Sequence, residues 1–198
     1  MGGCFKMKTR IVKQPDERKS EIIKTSGKLF LQKGVHNTKI SEIVETIGVA
    51  KGLFYYYFKS KDDVITAVIE HFISELDIVL SNILSSDINY YKKISIFVDT
   101  YIQIRRMFNK NSCNNNGNDN FSYILIKKSN NLMLSYLKLL ISTGTSKGLL
   151  RLRYPDETVT MLVYGLNELM DSSQKKIRRS VMLALFEQSL SLPSGILA

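Results

Sequence analysis

The chain has 198 residues and a formal net charge of +10, from 28 Lys plus Arg against 18 Asp plus Glu. That length supports a sizeable core, in one domain or in a small domain joined to a larger one, and the excess of cations puts a polyanion first among partners. Cys4 and Cys113 are too few and too far apart for a disulfide framework or a structural zinc site, and polar residues break every apolar run well short of the roughly 18 residues of a membrane span.

The charge is unevenly placed: residues 1–62 hold 13 basic against 6 acidic side chains, and residues 63–198 hold 15 against 12. The start, Met1-Gly2-Gly3-Cys4, has Lys6 where an N-myristoylation signal wants Ser or Thr, and no signal-peptide stretch surrounds it. A flexible basic arm is expected over 1–15, in which Lys6, Lys8, Arg10 and Lys13 are either a solvated tail or an arm following DNA phosphates or the minor groove. From Asp16, just after Pro15, a helix carries Ile22, Ile23, Ser26, Leu29 and Phe30 on one stripe and stops at Gly34. Thr38 is the expected N-cap of a second, short helix with Ile40, Ile43, Val44 and Ile47, closed by Gly48. A third short helix covers Ala50 to Tyr57. Ser60 is placed to cap a fourth, Lys61–Ser85, striped with Val64, Ile65, Val68, Phe72, Leu76, Val79 and Ile83.

The helical period continues through Tyr91, Ile94, Val98, Tyr101, Ile102 and Arg105 and is interrupted by an Asn-rich tract, Asn109 to Asn120, read as a loop. Further helices are predicted over Phe121–Gly144, Asp156–Ser172 and Gln174–Leu190, with Gly148 and Pro155 marking the break before the last pair. With three prolines in the chain and no sustained alternation of apolar residues, the predicted class is all-α.

The stretch from Thr38 to Lys61 reads as helix, turn, helix. Gly48 supplies the bend, Val49 would plug the angle, and Ile43, Ile47, Phe54 and Phe58 supply the buried side. The second helix is then free to enter a major groove, with Lys51, Tyr55, Tyr56, Lys59 and Lys61 able to hold phosphates by charge or hydroxyl. The tyrosines could instead form an aromatic core stripe. Three adjacent helical positions cannot all face one core, however, so at least one hydroxyl must meet solvent or a partner.

Residues 48–61 resemble the Gly-Val-Ser-Lys-Gly-x-φ-Tyr-x-x-Phe-x-x-Lys string of the tetracycline-repressor-like (TetR) family. Ala50 departs from it where Ser or Thr is usual, which removes one hydroxyl; Leu53 can offer a thymine methyl only apolar contact. The resemblance extends weakly from Arg18 to Phe72. It implies an N-terminal three-helix DNA reader (16–60), joined by a long helix to a helical part (61–198) that binds a ligand and dimerises. The implied DNA contacts are Thr38, Lys39, Ala50, Lys51, Gly52, Leu53, Tyr55, Tyr56, Lys59 and Lys61, with a palindromic double-stranded operator as partner.

A cavity in the second part would be lined from Phe72, Phe97, Tyr101, Arg105, Tyr123, Met133, Tyr136 and Asn167, residues for which ordinary packing is an equal account. Arg105 needs an anionic or carbonyl partner, either a ligand or Asp99 or Glu168. Because one short recognition helix contacts too few bases, a homodimer is expected, with Leu162, Leu166, Val181 and Leu185 buried between the last two helices and their mates. His36 and His71 have no ligand spacing, so no metal or other cofactor is expected; His71 is read as a core or pocket residue and His36 as a loop residue. No phosphate loop, nucleophile elbow or metal cluster argues for an enzyme. A basic amphipathic membrane binder would spread its cations along one long helix, and here they gather around a short one. The expected reading is a cytoplasmic repressor answering to a small molecule; the alternative is control by a protein partner.

Overall fold

The computed structural model describes residues 14–112, 120–172 and 178–198. The basic arm, Cys4, Cys113, Gln174 and Ile177 lie outside the described residues, as does most of the Asn-rich tract. Eight helices and no strand occur among the described residues: α1 Pro15–Lys33, α2 Ile40–Ile47, α3 Lys51–Tyr57, α4 Lys61–Ser85, α5 Tyr90–Ser112, α6 Asn120–Ser146, α7 Pro155–Ser172 and α8 Arg179–Ser189. The all-α class read from the sequence is the class observed.

Local chemistry sets most of these boundaries. Pro15 opens α1, Asp16 and Glu17 face its positive end, and Gly34 closes it at φ 84° with its N–H on the Phe30 carbonyl. Ser60 caps α4 in a reciprocal box: its Oγ accepts from the Asp63 N–H, and Asp63 Oδ2 accepts from the Ser60 N–H, both at 3.1 Å. Thr38 does not cap α2. Its side chain is buried and its hydroxyl donates to the Gly34 carbonyl at 2.8 Å, which leaves Lys39 at the N-cap with no side-chain cap bond. α5 runs beyond its predicted end into the Asn-rich tract as far as Ser112, and α8 opens at Arg179 behind an extended Arg178.

Two apolar cores fill the molecule. The first joins Ile22 and Phe30 of α1, Ile43 and Val44 of α2, and Phe54 of α3 to Val64, Val68 and Ile69 of α4, and it takes in Phe108, Phe121 and Leu125 from α5 and α6. The Phe30 and Phe121 rings meet edge to face at 5.5 Å, and Phe72 lies 5.8 Å from Phe108. The second core packs the rest of α4, α5 and α6 against α7 and α8. At 1.5 Å per residue α4 is about 37 Å long, long enough to serve both cores.

The C-terminal turn is fastened by one carboxylate. Glu187 is buried, and its two oxygens accept the N–H groups of Gly195 at 2.9 Å and Leu197 at 2.8 Å. These two bonds hold its carboxyl below the usual carboxylate range. A lowered folded-state value stabilises the fold above the unfolded value of about 4.3, and that contribution fades as pH falls through the folded value. Glu187→Gln should therefore melt lower than the parent at neutral pH, and the gap in Tm should close as the pH is taken below the carboxylate range. A pH series of thermal melts on both proteins measures this.

Candidate nucleic-acid interface

The geometry of α2 and α3 begins at one glycine. Gly48 sits in the left-handed region at φ 78° and ψ 38°, and its N–H bonds the Val44 and Glu45 carbonyls that end α2. Two residues later the extended Ala50 starts α3 with no side-chain cap. Val49 is half-buried at the angle. Phe54 and Phe58 are buried below, 5.8 Å apart, and this anchors one side of α3 and turns the other outward.

The outward side carries Ala50, Lys51, Gly52, Tyr55, Tyr56 and Lys59, all exposed, with Tyr56 the most open at 75%. Lys39 is exposed at the start of α2. Lys51 Nζ stands 5.9 Å over the Tyr55 ring, a contact that holds the cation beside a hydroxyl-bearing ring. Tyr57 is half-buried and meets Tyr56 edge to face at 4.9 Å. Leu53 is half-buried, so only part of its side chain is offered outward.

Two predicted DNA contacts are placed differently. Thr38 is enclosed, with its hydroxyl used inside the fold. Lys61 is half-buried, and its ammonium donates to the Val35 carbonyl, tying the first residue of α4 to the turn between α1 and α2. Lys33 pairs with Glu42 and binds α1 to α2. These two ties fall between residues distant in sequence, which is why helical periodicity gave no sign of them.

The predicted cavity residues do not form one set. Phe97, Tyr101 and Met133 belong to the second core and Arg105 is buried, and Tyr101 donates to Asn167 Oδ1 at 2.6 Å. Tyr123 is largely exposed. Tyr136 donates to Asp77 on α4 at 2.8 Å, and that bond raises its pKa from the ordinary tyrosine value. Asp99 gives both oxygens to Arg179, at 2.5 and 3.0 Å, and so is not the partner expected for Arg105. His71 is partly exposed beside Glu75 rather than in a core, and His36 is an exposed turn residue. A cleft of about 330 Å³ opens between Leu84, Tyr90, Lys93, Leu139 and Lys147 and is lined by none of the predicted pocket residues.

The predicted dimer residues also divide. Leu162 and Leu166 are buried in this chain's own core, Leu166 at 3% exposed, so no second subunit can bury them further. Val181 is exposed and Leu185 half-buried. The exposed apolar residues of α7 are Met161, Tyr164 and Leu169, one position out of phase with the leucines that the sequence reading chose. Among the described residues no group of three or more His, Cys, Asp or Glu could hold a metal ion, and no helix is long and apolar enough to cross a membrane.

A left-handed glycine between two short helices, a buried aromatic anchor and a basic, tyrosine-rich outer face define a helix-turn-helix protein. Residues 22–68 match the family model described as bacterial regulatory proteins, tetR family. The match spans 47 of the 198 residues, so it is the segment from α1 into α4 that resembles the family. It is 45% identical over 58 residues to the HTH-type transcriptional regulator YerO of Bacillus subtilis, a match covering 29% of this chain and 20% of that protein. It is 29% identical over 63 residues to the HTH-type transcriptional repressor KstR2 of Mycolicibacterium smegmatis, covering 32% and 31%. The chain thus aligns with less than a third of either relative's length. The crystal structure of reduced E. coli NemR shares the fold at TM-score 0.71 and 20% identity, over 88% of this chain and 98% of that one.

Proposed function

We propose that this protein is a cytoplasmic transcriptional repressor, acting as a homodimer on a palindromic double-stranded operator and released by a small molecule. The observation that carries the reading is the outer face of α3, where Lys51, Tyr55, Tyr56 and Lys59 are all exposed on a helix anchored by Phe54. The family match at residues 22–68 and a relative named as a repressor support it. Dimerisation is supported by the exposed Met161, Tyr164, Leu169 and Val181 on the last two helices, a set of large apolar groups that gains from a cover. Gly165 stands exposed among them, with open space where a Cβ would be, so a partner helix can approach closely.

Ligand control follows from continuity. Phe108 and Phe121 carry α5 and α6 into the core of the DNA-reading head, so a change of packing in the body reaches the head through those rings as well as through α4. A differential ligand affinity of about 1–3 kcal/mol between the two states is enough for a 5–150-fold change in DNA binding.

A genomic binding selection should return an enriched palindrome, and its absence would sink the sequence-reading role. Affinity for the selected duplex should fall on the order of tenfold or more between 50 and 200 mM salt. Lys59→Ala should flatten the dependence of log affinity on log salt by about one unit. Lys61→Ala should leave that slope alone and instead lower the head's stability by about 1.5 kcal/mol, because the bond it loses is internal.

A further inference from the structure

The cleft of about 330 Å³ is lined by the end of α4, the link to α5, the first turn of α5, and the C-terminal half of α6 with the residues just after it. Its apolar lining includes Ile88, Leu139 and Leu149, all exposed, Leu139 at 55%. Large aliphatic groups left open in one concavity gain from a cover. Tyr90 forms a fixed wall, because its hydroxyl donates to the Leu140 carbonyl at 3.1 Å. Gly144 makes room for that ring: a Cβ there would overlap the Tyr90 hydroxyl.

Three charged side chains line the same space. Lys93 is half-buried and its ammonium donates to the Leu84 carbonyl at 2.6 Å; an ammonium has three donors, so two remain. Lys147 and Asp87 are exposed. Two cations against one carboxylate leave the lining one charge positive, which a single anionic group balances. From Lys147 to Asp156 the chain carries the exposed Arg151 and Arg153 and no acidic residue, so the surrounding field favours the same sign. A lysine ammonium is a point charge rather than a planar fork, so the cleft selects a negative charge and not the shape of one acid group.

We propose that this cleft is the effector site and that it takes a monoanion with an apolar body, the head on Lys93 and Lys147 and the body against Ile88 and Leu139. This rests on the reading of the protein as ligand-controlled. The bond from Lys93 to Leu84 ties α5 to the last turn of α4, and the first residue of α4, Lys61, follows the reading helix α3 after a three-residue link. An anionic head that draws the Lys93 ammonium off the Leu84 carbonyl releases the end of α4. The helix is then free to shift against α5 and to carry the reader with it.

The test uses the full chain and the selected duplex, with octanoate and octane-1-sulfonate as probes and octan-1-ol and octylamine as matched controls, in calorimetry and in operator titrations. Both anions should bind and should weaken operator binding about fivefold or more, and the alcohol and amine should bind at least about tenfold more weakly than the anions. Shortening octanoate to hexanoate should weaken binding on the order of tenfold, the mark of a buried apolar body. Lys147→Gln, at an exposed position, should bind octanoate about fivefold more weakly. Lys93→Met, which keeps the stem and removes the ammonium, should bind it about tenfold more weakly or worse, and a melt of each variant checks that it folds. Leu139→Ser should weaken octanoate binding and leave the sedimentation of the protein unchanged. Octanoate that fails to bind the parent, or that binds both folded lysine variants with unchanged affinity, would overturn the proposal. So would a Leu139→Ser protein that sediments as a monomer where the parent is a dimer, since a second copy of the chain would then be the cover. Lysine-dependent binding that leaves operator affinity unmoved would remove the cleft as the effector site. If another chemical class then displaces the operator, ligand control stands without this site; if none does, ligand control itself fails and control by a protein partner takes its place.

Discussion

Phe54→Ala is expected to cost about 3–5 kcal/mol of stability in the DNA-reading head, and Tyr56→Ala, two residues along the same short helix, to cost no more than about 0.5 kcal/mol. Phe54 is 0% exposed and touches Phe58 and the core formed by α1, α2 and α4. α3 has seven residues and no side-chain cap, far below the length at which a helix holds itself in water. Its shape therefore depends on this anchor, and removing the ring leaves a cavity at the meeting point of four helices. Tyr56 makes no comparable burial, so its loss should appear in DNA affinity. Denaturant unfolding beside operator titration separates the two effects. A Tyr56→Ala variant with full affinity would show that the exposed aromatic face is not the contact surface, and a Phe54→Ala variant of parental stability would remove the proposed anchor.

Much of this architecture could be read from residue order because its signals are local. Gly34, Gly48 and the Ser60 box act within four residues of themselves, and the helix they bound or open falls where the sequence placed it. The outer face of α3 was equally legible, since Phe54 and Phe58 can be buried together only if Tyr55, Tyr56 and Lys59 turn outward. What failed depended on distant partners. Thr38 has the chemistry of an N-cap, but the Gly34 carbonyl one turn earlier takes its hydroxyl into the fold. Lys61 has the chemistry of a phosphate contact, and the Val35 carbonyl engages it. Asp99 was a reasonable partner for Arg105 until α8 brought Arg179 to it. On α7 the apolar residues surround so much of the helix that periodicity could not separate the side facing this chain's core from the side left open. Both Leu166 and Met161 satisfy the pattern, and only tertiary packing distinguishes them.

That distinction sets the final expected result: Met161→Glu with Leu169→Glu should yield a folded monomer, whereas Leu166→Glu should unfold the body. Met161 is 66% exposed and Leu169 lies eight residues on, so Met161, Gly165 and Leu169 form a single stripe down the helix. In a lone subunit the two glutamates stay in water and cost the fold little. Across a two-fold axis each faces its own symmetry mate or an apolar neighbour, so every substitution acts twice. If each of the four substituted side chains removes a contact worth about 1 kcal/mol, the dimer constant weakens on the order of a thousandfold. Operator affinity should collapse with it, because half-sites are then read one at a time. Gly165 gives a second, opposite signature. Glycine inside a helix costs about 0.5–1 kcal/mol relative to alanine, so Gly165→Ala should stiffen α7 in the monomer while weakening a close helix contact in the dimer. Sedimentation equilibrium and melts at several protein concentrations would show both effects. A doubly substituted protein that still sediments as a dimer would exclude this face of α7 as the interface.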